Sequence, residues 1–211
     1  MARSISANGE VIYGTSWDNS DYGMLYWEKE GAGFGRPQWV GEDVREITPT
    51  VMQYQDGTEY DYNLVNGCIC QAQLTKISPS GKWIATTYRT ETPSANRQYV
   101  EYTYAAAFYN TETGTTTIVE DYGETTGVHV TDDGIGFIGI GTLGVSAGKV
   151  YDLNTHTDLG DTQDWVYDTY GIVIPGGYIN HISADGRYVL GTSAQSSAGG
   201  TSFINWYIAP P

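Results

Sequence analysis

ISADGRYVLGTS, residues 182–193, is the segment that decides the fold, because three other segments of the chain repeat its pattern. The copies are ISANGEVIYGTS at residues 5–16, ISPSGKWIATT at residues 77–87, and residues 130–141, which carry the same core around Asp133 and Gly134. In each copy a glycine follows Asn, Asp or Ser, and β-branched or aromatic residues come next. Such pairs tolerate the positive φ angles of two-residue hairpin turns, so each copy predicts a strand, a tight turn and a second strand.

The spacing of the copies predicts a radial arrangement of sheets. The turn glycines at positions 9, 81, 134 and 186 are separated by 72, 53 and 52 residues. Four short strands in roughly 50 residues, with no helix to connect parallel strands, are typical of β-propeller blades. A β-sandwich is the alternative, although its strands have no reason to share a motif. We expect an all-β, propeller-like array of about four antiparallel four-stranded blades in a single domain. The repeats fall at about residues 1–45, 67–120, 127–165 and 176–211, with a Tyr-rich insertion at residues 46–66.

Composition and charge exclude several classes of partner. Gly occurs 27 times and Tyr 18 times, while charged residues make up 17% of the 211 residues, which suits short strands joined by many turns. The net charge of −15 repels phosphate backbones and anionic lipid surfaces, so we expect no nucleic-acid binding and no membrane insertion. No apolar run of the sequence reaches the roughly 20 residues of a membrane-spanning helix.

The two cysteines, Cys68 and Cys70, lie two positions apart in a segment that we expect to be extended. Their side chains would share one face, with Cα atoms about 6.6 Å apart, near the upper limit for a disulfide. A lone Cys-x-Cys without a second pair is also a weak metal signal. We favour two packed thiols, and a disulfide or a metal site remains the alternative.

The copies resemble one known family of repeats. Residues 77–85 and 182–189 look like the Ser-Pro-Asp-Gly-Lys core of TolB-like, WD-type β-propeller repeats, and residues 108–114 and 150–155 resemble that family's third strand and following turn. The resemblance implies blade geometry and an extracytoplasmic location, either periplasmic, cell-surface or secreted. It implies little about activity, since the family includes scaffolds, receptor domains and catalytic propellers. This sequence departs from the family in the insertion at residues 46–66 and in lacking a Trp-Asp dipeptide in the third strands.

The two ends of the repeat array predict either a longer propeller or an assembly. Only four residues precede Ile5 to form an innermost strand, and no fourth strand follows Ile208 in the last blade. Bare sheet edges invite pairing with another chain. We therefore expect either a part of a longer propeller or a four-bladed unit whose edges are protected in a homo-oligomer.

Aromatic and acidic residues concentrate in the longer connections between the strands. If the strands of each blade alternate in direction, the tight turns lie on one face and the longer connections on the other. Tyr and Trp give large contact areas with a polar group, so we predict a ligand-binding face there, with simple covering of the blade ends as the alternative. The candidate binding residues are Trp17 and Tyr22 between two strands, and Tyr54, Tyr60, Tyr62, Trp165, Tyr167 and Tyr170 between repeats, accompanied by Asp61, Tyr122 and Asp168.

The expected function is that of a non-enzymatic binding module whose partner is a protein, a peptide or a glycan. The alternative is a carbohydrate-active enzyme with paired carboxylates on the same face, for which Asp61 and Asp168 are candidates. Neither Gly-x-Ser-x-Gly nor His-Glu-x-x-His occurs in the sequence, and we expect no cofactor. Asp18 and Asp21, in the segment Asp18-Asn19-Ser20-Asp21, are candidates for calcium ligands in a loop.

The three histidines are expected to be structural or exposed. His129 and His181 occupy the same repeat position, one residue before the apolar residue that opens the motif. Equivalence by repeat favours a structural hydrogen bond over catalysis. His156 falls in a predicted turn, where we expect it to be solvated.

Overall fold

The described part of the chain is almost entirely β-structure. The structure is a computed structural model that describes residues 2–18, 21–69, 75–141, 147–197 and 200–209. These residues form 19 strands, one short 3-10 helix and one α-helix, and every strand pairing among them is antiparallel. The all-β, antiparallel expectation is therefore confirmed. Within the described ranges no helix has the length and hydrophobicity needed to cross a bilayer.

The strands form four sheets and one separate hairpin, in chain order. The first sheet contains β1 (Ala2–Ile5), β2 (Val11–Asp18), β3 (Asp21–Glu30), β4 (Gly33–Phe34) and β5 (Gln38–Trp39). After the 3-10 helix (Glu42–Val44), the hairpin consists of β6 (Glu46–Gln53) and β7 (Glu59–Asn66). The second sheet contains β8 (Cys68–Ile69), β9 (Lys76–Ile77), β10 (Trp83–Pro93), β11 (Val100–Asn110) and β12 (Thr115–Val119).

The remaining strands belong to two smaller sheets that flank the α-helix. The third sheet contains β13 (Thr125–Val130), β14 (Ile135–Ile140), β15 (Ala147–Asp152) and β16 (Thr157–Asp161). The helix α1 (Thr162–Tyr170) follows directly. The fourth sheet contains β17 (Tyr178–Ile182), β18 (Val189–Ser197) and β19 (Gly200–Ile208).

Each motif copy forms a turn between two strands of one sheet, but the turn geometry differs from the expected one. In the first copy the Gly9 N–H donates to the Ser6 carbonyl, and Gly9 has a φ of 73°. A two-residue turn would also place Asn8 at positive φ, whereas Arg97 and His156 are the only described non-glycine residues in that region. The expectation of two-residue turns is therefore wrong. Only the glycine is left-handed, as in a type I turn followed by a left-handed residue.

A side-chain hydroxyl in each turn, that of Ser6 in the first copy, explains why the copies share a sequence. Ser6 Oγ accepts the Val11 N–H at 2.9 Å and donates to Asn8 Oδ1 at 2.6 Å, so one side chain closes the turn. The second motif position therefore needs a short polar residue. The same hydroxyl acceptor recurs in the other three copies, at Ser78, Thr131 and Ser183.

The four sheets pack face to face in chain order, and we call this arrangement the sheet stack. Successive residues of a strand point to opposite faces, so one strand can contribute to two interfaces. In β10, Ile84 packs on the first sheet, while Trp83 and Ala85 pack on the third. Phe137 and Val150 of the third sheet pack on the fourth. The second and third sheets therefore have neighbours on both faces.

The connection predicted around Trp17 and Tyr22 and most of the polar segment 89–97 are strand structure. β2 and β3 pair as far as Asp18 and Asp21, so Trp17 and Tyr22 lie in paired strands and not in a loop. β10 continues to Pro93, across most of the polar segment 89–97. Thr and Tyr favour extended backbone, which explains why pairing continues past the polar positions.

The Tyr-rich segment 46–66 is a hairpin attached to the second sheet. β6 and β7 pair from Glu46 opposite Asn66 to Gln53 opposite Glu59. Glu91 of β10 is buried, and its carboxylate accepts the Val65 N–H at 3.0 Å. The alternation of Tyr and Leu with polar residues in β7 is the signal for this strand.

Candidate functional site

A cleft of about 410 Å³ opens between the third and fourth sheets. This volume lies in the range of roughly 300 to 1,000 Å³ that is usual for small-ligand pockets. The motif turns of the two sheets form one wall and α1 forms the other. The residues that give the cleft its chemistry are His129, Asp133, Trp165, Thr169, Tyr170 and Ser183.

The helix α1 places an aromatic wall on the cleft. The helix begins after Asp161, which is extended, and ends at Gly171, whose left-handed conformation directs its N–H to the Tyr167 carbonyl. Thr162 and Val166, four residues apart, are buried on one side of the helix. The cleft residues Trp165 and Thr169 share the same spacing on another side.

Aromatic contacts fix the position of Trp165. Its ring meets Phe137 of β14 edge-on, with centroids 5.0 Å apart, and meets Tyr170 edge-on at 5.9 Å. The Tyr170 hydroxyl donates to the Gly186 carbonyl in the motif turn of the fourth sheet, at 3.0 Å. The aromatic wall is therefore held by both sheets and is pre-formed.

His129 lies at the junction of the two sheets and carries an unused donor. Its ring is 2% exposed, and Nε2 accepts the Ile182 N–H at 3.1 Å, which is the structural hydrogen bond that the repeat position predicts. Burial, together with His181 and Lys76, lowers the pKa of His129 to about 3, so the ring is neutral. Because Nε2 is the acceptor, the ring proton resides on Nδ1, which has no partner among the described residues.

Two adjacent carboxylates of the third-sheet turn have different partners. Asp132 accepts the Ser80 N–H and hydroxyl, at 2.9 and 2.6 Å, and so joins the motif turns of the second and third sheets. Burial opposes ionisation of Asp132, but hydrogen bonds from Ser80 and Ser78 outweigh it and lower its pKa. Asp133 Oδ1 accepts the Thr131 hydroxyl, and a carboxylate has a second oxygen that can accept from a ligand.

The predicted site residues do not converge on one face. Trp165 and Tyr170 line the cleft beside the tight motif turns, whereas the sequence placed them on the opposite face from those turns. Tyr167 is 57% exposed on α1 and does not line the cleft. The expectation fails because α1 returns along the third sheet and brings its aromatic residues to the turns.

The hairpin tyrosines form a separate group at the other end of β10. Tyr54 and Tyr60 are in ring contact, with centroids 4.5 Å apart, and Gln53 N–H donates to the Arg97 carbonyl. β10 spans the distance between the motif turn and this end, which is about 33 Å at the usual rise per residue. Burial, followed by the Glu91 charge, raises the pKa of Tyr62.

The suggested calcium loop and the cysteine pair lie only partly within the described residues. Trp17 and Asp18 belong to β2, and Asp21 and Tyr22 to β3, but Asn19 and Ser20 of the suggested calcium loop lie outside the described residues. Cys68 belongs to β8. Cys70 lies outside the described residues, so the prediction of two packed thiols is not tested. Where the structure does describe the chain, no group of three or more His, Cys, Asp or Glu residues is placed to hold a metal ion.

The remaining candidates are dispersed. Asp61 lies in β7 and Asp168 in α1, on different elements, and neither lines the cleft. Tyr122 lies beside the third sheet, where Lys149 stacks on its ring at 5.5 Å. His156 is exposed in a turn at a φ of 54°, as expected.

Sequence reasoning missed Asp133, Thr169 and Ser183 as cleft residues. Two of them belong to the motif turns, which looked purely structural because every copy has one. No protein-family model matches the sequence, and no curated protein shows significant similarity to it. The site's geometry is therefore the basis for a functional assignment.

Proposed function

We propose that this chain is a non-enzymatic binding module of the β-propeller type, and that it binds a saccharide unit in the cleft between the third and fourth sheets. The observation that carries the proposal is the pre-formed cleft, with Trp165 on one wall and Asp133 on the other. A sugar presents an apolar ring face and a rim of hydroxyls. An aromatic side chain suits the ring face, and a carboxylate accepts from the hydroxyls.

The polar groups of the cleft support a ligand that is rich in hydroxyl groups. Asp133, Thr169 and Ser183 offer acceptors, and the Thr169 hydroxyl also offers a donor, whereas the Ser183 hydroxyl donates to Asp185 at 2.6 Å. The buried His129 ring forms part of the inner wall. The net charge of −15 favours such a neutral ligand over an anionic one.

The propeller part of the proposal is supported by the sheet stack. Successive sheets pack in chain order, and the motif turns of the first three sheets are joined at one end. Asn8 Nδ2 donates to the Ser80 carbonyl at 2.9 Å, and Asp132 accepts from Ser80. In a β-propeller, small antiparallel sheets likewise succeed one another along the chain as neighbouring blades.

The enzyme alternative receives less support from the cleft. Glycoside hydrolysis needs one carboxyl group that stays protonated and donates a proton. The hydrogen bonds from Ser80 lower the pKa of Asp132, which favours a permanent carboxylate. Turnover of a chromogenic glycoside panel that Asp133→Asn abolishes would favour the enzyme over the binding module.

The proposal is tested with an oligosaccharide panel in ligand-observed NMR, followed by calorimetry of the hits. Thr169 is exposed and lines the cleft, so Thr169→Trp should fill it without disturbing the core and should abolish binding. The matched control is Tyr167→Ala on the same helix, which should bind as the wild type does. A silent panel, or equal binding by Thr169→Trp, would overturn the proposal.

A further inference from the structure

The fourth sheet has an uncovered face that carries apolar side chains. Val189 and Ile208 point towards the third sheet, so their neighbours along β18 and β19 point away from it. Leu190 and Tyr207 lie opposite each other on this outward side and are 45% and 78% exposed. Tyr188, on the same side, is 52% exposed. We call Tyr188, Leu190 and Tyr207 the fourth-sheet outer face.

The strand register identifies the equivalent positions in the other sheets. In every sheet one cross-strand pair lies shortly after the motif glycine, and in the first three sheets this pair faces the next sheet of the stack. In the first three sheets both residues of each pair are 5% exposed or less, because the next sheet covers them. The pairs are Tyr13 with Tyr26, Ala85 with Phe108, Phe137 with Val150 and, uncovered, Leu190 with Tyr207.

The first sheet has the complementary uncovered face. Ile5 pairs with Ile12 and is 52% exposed. The equivalent residues that open the third and fourth motifs, Val130 and Ile182, are 0% and 4% exposed, since each packs on the preceding sheet. We call Ile5, Ile12 and the half-buried Trp27 opposite Ile12 the first-sheet outer face.

We propose that two copies of this chain associate head to tail, with the fourth-sheet outer face of each copy packed on the first-sheet outer face of the other. The two faces have opposite positions in the stack, and no hydrophobic cluster of the described residues joins the first sheet to the fourth. The intermolecular contact would continue the three sheet-to-sheet interfaces that the chain already contains. Two copies would supply eight sheets, which is within the range of about four to eight blades that closes into a ring.

This inference concerns a surface away from the cleft, and its test is independent of sugar binding. The variants Tyr207→Arg and Ile5→Arg each place a charge on one outer face at an exposed position, so both should fold. Sedimentation velocity over a wide range of concentration should show a dimer for the wild type and a monomer for each variant. The matched control is Tyr99→Arg, which changes a tyrosine that is 58% exposed elsewhere and should remain dimeric.

A mixing experiment tests the head-to-tail geometry. The Tyr207→Arg chain keeps its first-sheet outer face, and the Ile5→Arg chain keeps its fourth-sheet outer face. Their equimolar mixture should therefore recover dimers through one intact contact, although neither variant dimerises alone. A wild type that stays monomeric at every concentration would overturn the proposal, and so would a dimeric Ile5→Arg variant, because a symmetric contact of the fourth sheet with itself would not need Ile5.

Discussion

The helix α1 and the hairpin β6–β7 are both aromatic-rich departures from the four-sheet pattern, yet they create different surfaces. α1 packs Val166 into the core between two sheets and leaves a cleft beside Trp165. The hairpin attaches to the second sheet through the buried carboxylate of Glu91, and none of its three candidate tyrosines lines that cleft. The comparison teaches that aromatic content alone does not mark a site. Enclosed space beside unused hydrogen-bonding groups is the better indicator.

The largest expected effect comes from removing the support of the helix. Phe137 is fully buried and contacts both Trp165 and His129, so Phe137→Ala should lower the free energy of unfolding by about 4 kcal/mol. Sugar binding should fall with it, because Trp165 loses its edge contact. Urea unfolding and calorimetry would measure the two effects. Phe137→Leu, the milder variant, should fold and show a smaller loss of both.

The control for this change is Phe34→Ala, at a phenylalanine that is 40% exposed in the first sheet. It should alter the free energy of unfolding by less than about 1 kcal/mol, as surface substitutions usually do. Equal losses for the two alanine variants would contradict the idea that the Phe137 contact supports the cleft.

The hairpin should respond to a change in the ion pair of β10 whose buried carboxylate holds it. Arg89 lies 2.7 Å from Glu91, whose side chain is 3% exposed, and Glu91→Gln would leave the guanidinium without its counter-charge. We expect a loss of about 3 kcal/mol in the free energy of unfolding, since breaking a buried pair is costly. Sugar binding should stay unchanged, because the hairpin lies away from the cleft.

The exposed pair of Lys82 and Glu112 provides the control, since it lies 3.3 Å apart at the surface. Glu112→Gln should alter stability by less than about 1 kcal/mol. If Glu91→Gln weakened sugar binding as strongly as it weakened folding, the separation between hairpin and helix would be wrong.

The buried histidine predicts a pH dependence of stability on the cleft side. Burial, His181 and Lys76 lower the pKa of His129 from 6.5 to about 3, so the unfolded chain binds a proton in this interval and the folded chain does not. The free energy of unfolding should therefore fall as the pH falls from about 6.5 towards about 3. Burial and Lys76 also lower the pKa of His181, which adds a contribution of the same sign.

Urea unfolding between about pH 7 and about pH 5 would isolate this slope, because the carboxyl groups titrate mostly at lower pH. His129→Gln keeps a side-chain acceptor for the Ile182 N–H and should flatten the slope, leaving the share of His181. His156→Asn, at an exposed turn position, should keep the wild-type slope. A slope that persists unchanged in His129→Gln would show that other groups cause it.

The sequence predicts the strands of the stack well and the cleft poorly, for physical reasons. Each motif turn is closed by a local hydrogen bond, such as that from Val11 N–H to Ser6 Oγ. A stretch of six residues is therefore enough to predict the turn. The cleft combines Asp133, Trp165 and Ser183, which only the packing of the third sheet on the fourth brings together. The helix that carries Trp165 had a readable local signal in Asp161 before it and Gly171 after it.

A further copy of the motif turn escaped detection because its glycine is replaced. In the turn between β10 and β11, Ser94 Oγ donates to Asn96 Oδ1 and accepts the Tyr99 N–H, as Ser6 does in the first copy. Arg97 occupies the glycine position at a φ of 56°, and its carbonyl accepts from the hairpin. The pattern Ser-Ala-Asn is shared with residues 6–8 and would have identified this turn.

Exchanging the residue at the left-handed position should give the smallest effects, with opposite signs in the two turns. Arg97→Gly relieves a conformation that costs an L-residue about 1 kcal/mol and adds some entropy to the unfolded chain, so we expect a gain of about 0.5 kcal/mol. Gly9→Ala makes the reverse change at a φ of 73°, where no atom lies within 4 Å of the new Cβ, and should lose a similar amount. Urea unfolding of both variants would measure the difference. A loss of stability in Arg97→Gly would mean that contacts of the arginine side chain, and not only the backbone of this turn, hold the hairpin on the second sheet.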